Sequence, residues 1–292
     1  MMRMLSNTML RIRTFVLLVL AAIVVTAWVP MVAVGRPVHQ QYLQVAFLDV
    51  GQGDAVLITS PDGYELLVDG GPDMAVVREL AKKRSVFDRS IDMIIATHPD
   101  TDHVAGLIDV LRQYRVGLII ETASLYDTAT AAAFQAAAVA EGARIITAQA
   151  GQEILLGAST TVRVLSPRGD STNWETNTAS VVVQVMYGDT EFILTGDASQ
   201  GIEEYLVEKY GETLESEVLK LGHHGSDTSS SGLFLETVSP QYAVVSAGKD
   251  NRYGHPHEEV LLRAGEAGAQ ILSTAEDGTI TFYSDGARVW VE

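Results

Sequence analysis

Cysteine is absent from the 292 residues, which excludes disulfides and thiolate metal sites alike. Positive charge is scarce: 20 lysines and arginines stand against 37 aspartates and glutamates, for a net charge of −17. Three of those arginines lie within residues 1–35, where there is no acidic residue, so the remainder sets 17 basic against 37 acidic side chains. A generic nucleic-acid binder is usually basic, because phosphate neutralisation supplies most of its non-specific affinity. No constitutive nucleic-acid-binding surface is therefore evident, and a phosphate-bearing substrate needs something else to hold it, such as bound metal ions. Repeats of solenoid length are absent too. Histidine is missing altogether between His103 and His223.

What is present describes a globular chain: 47% hydrophobic and 20% charged residues suit a large core. Arg3, Arg11 and Arg13 precede an uncharged run from Thr14 to Val34, long enough to span a bilayer as a helix. The positive-inside rule then places the rest of the chain outside the cytoplasm. Residues 1–35 thus read as a signal-anchor, or as a cleaved signal peptide with Ala33-Val34-Gly35 at its end; the length of the run favours the anchor. Residues 36–41 read as a linker and 42–292 as the folded domain. Within it, short β-branched stretches such as "YLQVAFLDV", "IDMIIATH" and "TEFILTGD" alternate with helical ones such as "HVAGLIDVLRQY" and "TATAAAFQAAAVAEG". A hairpin with Asp-Gly at its turn is expected in "QILSTAEDGTITFYS".

The chemistry-bearing residues follow strand ends: Asp69 after "ELLV", His98 after "MIIAT", Asp197 after "FILTG", and His223-His224 after "EVLKLG". In layered α/β folds such loops converge on one rim. The loop "HPDTDH" is the densest cluster, with His98, Asp100, Asp102 and His103 in six residues. Imidazole and carboxylate are ligands of Zn, Mn and Fe, and alternating directions along the loop make two pairs and hence two metals. Asp100 or Asp102 could instead cap the following helix, and Asp197 the helix after it; capping explains one aspartate, not two flanked by two histidines. His39 and His257 read as idle.

Together with "FLDVGQGDAVLI", "LLVDGG" and "YGHP", these motifs resemble the metallo-β-lactamase superfamily, and most closely the hydrolase-like domain of the ComEC family of competence DNA-uptake proteins, from about Gln44 to the C-terminus. The resemblance implies a four-layer αββα sandwich with a di-metal hydrolytic site along one edge. It would give His98 and Asp100 to one metal, Asp102, His103 and a histidine of the 223/224 pair, taken as His224, to the other, with Asp197 bridging. The superfamily commonly has histidine where Asp100 stands and a further histidine before the bridging aspartate. Asn177 lies near the latter place and could ligate weakly or hold a water. The exchange toward oxygen donors suits Mn²⁺ better than Zn²⁺.

The chemistry expected is hydrolysis of a phosphodiester by two divalent metal ions, Mn or Zn, in an extracytoplasmic enzyme reaching the membrane through its N-terminal helix, with single-stranded DNA a candidate substrate. His223 and His255 are candidates to protonate the leaving oxygen or contact phosphate, Asp69 to orient a ligand histidine or cap a turn, and Ser226 to hydrogen-bond phosphate. The competing readings are a phosphorylcholine-type phosphoesterase at the cell surface and a non-catalytic metal-binding module.

Overall fold

In the computed structural model, residues 41–85, 87–124 and 128–292 are described. The expected anchor, residues 1–35, lies outside the described residues, as do His39 and all of the linker but Gln41. Among the described residues no helix is long and apolar enough to cross a membrane.

Alternation along each strand builds the layers. In β1 (Leu43–Phe47), Leu43, Val45 and Phe47 point one way and Ala46 the other. The strands β1, β2 (Val56–Thr59), β3 (Glu65–Val68), β4 (Ser90–Ala96), β5 (Arg115–Glu121), β6 (Arg144–Thr147), β14 (Ile280–Ser284) and β15 (Val289–Val291) form one sheet, ordered β15-β14-β1-β2-β3-β4-β5-β6. A second sheet runs β13-β12-β11-β10-β9-β8-β7, from β7 (Glu153–Leu156), β8 (Thr160–Ser166), β9 (Val182–Tyr187), β10 (Thr190–Leu194), β11 (Val218–Lys220), β12 (Tyr242–Val245) and β13 (Gln270–Ser273). Val45, Phe47, Val183, Phe192, Leu194 and Phe282 fill the space between the sheets. On the outer face of the first sheet, Leu57, Leu67 and Ile94 pack with α1 (Ala75–Lys83), α2 (Thr101–Gln113) and α3 (Ala129–Glu141). On that of the second, Ile193, Leu219 and Val245 pack with α4 (Gln200–Tyr210), α5 (Gly232–Val238) and α6 (Glu258–Glu266). Helix, sheet, sheet, helix is the four-layer order expected.

The expected C-terminal hairpin is not formed. β13 pairs in parallel with β12 and β14 antiparallel with β1, so the two strands belong to different sheets. Between them a one-turn helix α7 (Thr274–Asp277) starts at Ser273, whose hydroxyl accepts from Ala275 N. The Asp-Gly that reads as a hairpin turn ends this helix, with Gly278 at φ +70°.

The parallel pairs β3-β4-β5-β6 and β10-β11-β12-β13 send their C-terminal ends to one edge, and β1, antiparallel to β2, ends there too. Gly106 on α2 lets that helix lie directly on the loop after β3: a Cβ there would stand 1.9 Å from the Gly70 carbonyl oxygen.

Candidate metal centre

Three histidines present the same nitrogen to one point. His103 Nδ1 is 2.8 Å from a carboxylate oxygen of Asp69, which can only accept, so that nitrogen carries the proton. His224 Nδ1 lies 3.0 Å from the Ser246 carbonyl oxygen, and the same reasoning applies. Thr97 Oγ1 donates to Asp69 at 2.7 Å, leaving its lone pairs for His98 Nδ1 at 2.9 Å. In the neutral ring each Nε2 is thereby the bare nitrogen, aimed inward, and all three are buried without a hydrogen-bond partner. A fixed tautomer with an unshared inward nitrogen is what a metal-ligating histidine needs.

Asp197 sits where these nitrogens converge. Its carboxylate is 3.4 Å from His103 Nε2, 3.5 Å from His224 Nε2, and 3.7 Å from both His98 and His223 Nε2. Asp100 lies 3.8 Å from His98 Nε2 and Asp102 3.4 Å from His224 Nε2. One oxygen each of Asp100 and Asp197 is buried and unpartnered. Capping does not account for them: Asp100 stands at the N-cap of α2 without a side-chain cap bond, and the N-cap of α4 is Ser199.

The sequence reading missed two buried charges. Asp54 and Lys220 form an ion pair at 2.5 Å, and the Lys220 ammonium also donates to the Gly196 carbonyl at 2.9 Å and stands 3.7 Å from Asp197. Gly53 lets the loop before Asp54 lie against the backbone of Asp102: at φ +125°, a Cβ would lie 2.1 Å from the Asp102 carbonyl oxygen. Asp54, His103, Asp197 and His224 each have a potential ligand atom within 4.8 Å of the others. The tautomers argue against Asp54 as a direct ligand. It lies on the protonated Nδ1 side of His224, at 3.3 Å, and neutralises Lys220, while Asp102 holds the Nε2 side. The sequence signal for Lys220 is a lone charge inside an apolar strand, "VLKLG".

Burial and crowding of charge set the protonation of these side chains. Burial would push Asp197 up, but His224, His103 and His98 hold it well below the usual carboxylate range. Burial would lower His224; Asp197, Asp102 and Asp54 outweigh it and raise it to about 9. His103 is raised likewise against burial, by Asp197 and Asp69. His98 falls to about 3, through burial and then the neighbouring His103. Burial raises Asp100 and Asp69. For Lys220, Asp54 and Asp197 more than offset burial, and it stays charged.

His223 and His224 occupy consecutive left-handed conformations, φ +48° and +56°, each costing roughly 1–2 kcal/mol for a non-glycine residue. The tight turn aims one imidazole into the cluster and leaves the other, 27% exposed, at its rim. Burial lowers His223. His255 stands beside it, ring centroids 5.4 Å apart, and is lowered to about 4 by burial and by His223 and His224. The buried Ser226 hydroxyl engages Thr228 Oγ1 at 3.0 Å, and Thr228 Oγ1 lies 3.1 Å from His223 Nδ1. His257 begins α6 and accepts from Asp227 N at 3.1 Å. Asn177 turns its amide oxygen toward Thr176 Oγ1 at 3.5 Å, and that hydroxyl reaches Asp100 at 3.4 Å. Behind His98, besides Thr97, stands Ser180, whose hydroxyl is 3.4 Å from Nδ1 and accepts from Asp197 N at 3.2 Å.

The residues present fit divalent metal ions: three orphaned imidazole nitrogens and unpartnered carboxylate oxygens converge at one buried place. The family described as the metallo-beta-lactamase superfamily matches residues 48–249. Competence protein ComA of Neisseria gonorrhoeae is 34% identical over 82% of this chain and 32% of its own length. ComE operon protein 3 of Bacillus subtilis is 29% identical over 82% and 33%. The chain thus spans about a third of the curated relatives it matches. Among solved structures, the metallo-beta-lactamase fold protein YhfI of Bacillus subtilis superposes with a TM-score of 0.52 at 14% identity, over 86% of this chain and all of that one.

Proposed function

Since the chain belongs to the metallo-β-lactamase superfamily, we propose that it is a metal-dependent phosphodiesterase acting on DNA outside the cytoplasm. The observation that carries this reading is the convergence of three inward, unpartnered Nε2 atoms on the Asp197 carboxylate. Two bound divalent cations, Mn²⁺ in preference to Zn²⁺ given the oxygen-rich donor set, would supply a nucleophilic water at neutral pH and offset charge developing on phosphorus. Everything else is supplied by the chain. His98, Asp100, Asp102, His103, Asp197 and His224 would hold the ions. Asp69, Thr97 and the Ser246 carbonyl keep the imidazoles in one tautomer and orientation. His223 and His255, both shifted toward the neutral form, suit contact with phosphate better than donation of a proton to the leaving oxygen. A relative is named a competence protein, and the resemblance of the motifs to competence DNA-uptake proteins supports DNA as the substrate; the basic, apolar N-terminal run favours membrane attachment and an extracytoplasmic domain.

The test uses the full-length chain, stripped of metal by a chelator and reloaded with Mn²⁺ or Zn²⁺. Turnover of bis-p-nitrophenyl phosphate and of a single-stranded oligonucleotide is expected. Hydrolysis of p-nitrophenyl phosphorylcholine alone would replace the proposal with the phosphorylcholine reading, and no turnover of any phosphoester with metal bound would leave a binding module.

A further inference from the structure

A loop beside the cluster joins an exposed cation to an exposed aromatic. Arg252 donates to the hydroxyl of Tyr253 at 2.8 Å, with its guanidinium carbon 5.0 Å from the ring centroid. Tyr253 is 50% exposed. The pair faces Asp102, Thr101, Gln52 and Pro72 across a cavity of about 330 Å³. The other side of the pair continues into the site: Tyr253 stacks on His255 with centroids 5.9 Å apart and planes 25° apart, and His255 leads to His223.

The loop is built rather than loose. Asn251 accepts from Tyr253 N at 3.1 Å and His255 N at 3.0 Å, and its amide nitrogen donates to the Gly248 and His255 carbonyls. That clamp fixes the backbone on both sides of Tyr253 while its side chain and that of Arg252 stay in solvent. Beside its contacts with His255 and Arg252, the tyrosine keeps half of its surface exposed. A planar cation on a planar ring, opening on a metal-ligand loop, is a surface on which nucleobases stack and phosphates pair.

We propose that Arg252 and Tyr253 form a subsite for the nucleotide next to the scissile phosphodiester, Tyr253 and the guanidinium plane taking its base and the Arg252 charge its phosphate. This rests on the phosphodiesterase reading above, and it names the substrate class of that site as single-stranded nucleic acid, whose unstacked bases can reach a flat side chain. Duplex would keep its bases from the ring.

The experiment compares Arg252→Ala, Tyr253→Leu and Tyr253→Phe with the parent in the full-length, metal-loaded protein. Bis-p-nitrophenyl phosphate has no flanking nucleotide, so its turnover should stay within two-fold in all three. For a single-stranded dT12, KM should rise by at least about five-fold in Tyr253→Leu and in Arg252→Ala, the lower end of what losing one stacked base costs, while Tyr253→Phe stays near the parent. Arg252→Ala should also flatten the salt dependence of oligonucleotide affinity by about 0.7 in slope, one phosphate contact on a single strand. Unchanged KM on dT12 overturns the proposal, as does an equal loss on both substrates, which would make the loop part of the catalytic centre itself. If the parent hydrolyses neither substrate, the phosphodiesterase reading fails, and anisotropy with a fluorescent phosphorothioate dT12 decides the subsite separately. No binding by the parent, or equal binding by Tyr253→Leu and Arg252→Ala, then overturns it.

Discussion

Metal binding should expel protons from the cluster, and the structure says from which nitrogens. Without metal, the inward Nε2 of His224 faces Asp197 at 3.5 Å and Asp102 at 3.4 Å, so a second proton settles there and the group titrates near 9 instead of 6.5. That displacement corresponds to about 3 kcal/mol of preference for the charged form. The sign follows from its being raised: the contribution to apo stability is complete below the unfolded value near 6.5 and is lost as pH rises toward about 9. His103 adds a contribution of the same sign. A metal ion competes for the same lone pairs, so its affinity should rise with pH across that window, by about ten-fold per unit for each proton displaced. Titration calorimetry of Mn²⁺ into chelated protein, in buffers of different ionisation enthalpy, should count about one to two protons released at pH 7 and fewer at pH 9.5. The thermal midpoint of the chelated protein should fall over the same range. Metal affinity independent of pH, with no proton release at pH 7, would refute the assignment of the inward nitrogens as ligands.

Asp197→Asn should abolish turnover and cut metal content in a folded protein, since Asn preserves shape but not the charge that four imidazoles face; full activity with normal metal by elemental analysis would remove Asp197 from the centre. Lys220→Met strands the Asp54 carboxylate in the interior and should cost about 3–5 kcal/mol in denaturant titration, whereas Lys220→Met with Asp54→Leu should recover much of it; equal losses in single and double variants would show that the pair is uncoupled. Asp100→His, at a position with no capping bond to lose, should shift the ratio of Mn²⁺ to Zn²⁺ affinity toward Zn²⁺ without loss of stability, and an unaltered ratio would remove Asp100 from the metal shell. A reporter that works only outside the cytoplasm, fused after Glu292, should be active; activity of a strictly cytoplasmic reporter there would reverse the topology.

Much of this centre is legible in sequence because its parts are contiguous. "HPDTDH" and "GHH" announce themselves as ligand-type residues crowded into turns, and the strands before them are plain from their β-branched runs. Pairing across the sheets is not legible in the same way. "EDGT" carries a good hairpin signal, yet β14 finds β1 and β13 finds β12, because a local turn preference of a fraction of a kcal/mol yields to the burial of Phe282 between the sheets. Likewise Gly232–Val238 shows too few turns of helical period to stand out, and becomes a helix by burying Phe234, Leu235 and Val238.

Asp54 and Lys220 show why a motif alone understates the site. A lysine inside a pocket meant for cations is unfavourable by itself, and burying its ammonium costs several kcal/mol unless it is paired. It becomes intelligible once the neighbouring charges are taken together. With His98, His103 and His224 neutral, as ligands must be, the cluster holds the carboxylates of Asp54, Asp69, Asp100, Asp102 and Asp197 and the ammonium of Lys220, which pairs with Asp54 and stands near Asp197. Five negative charges against one leave four, the charge of two divalent ions. Without Lys220 the same cluster would carry a fifth uncompensated charge. Without Asp54 the lysine would repel the metals from the Asp197 side. The pair thus leaves the balance as it would be if neither were there, and what it adds is position: Lys220 stands 3.7 Å from Asp197 and donates to the Gly196 carbonyl next to it in the chain. The lysine therefore acts as a strut beside the central carboxylate. On that account the Asp54–Lys220 pair should be exchangeable for an apolar pair with the fold intact, while the loss shows up as weaker metal retention at Asp197.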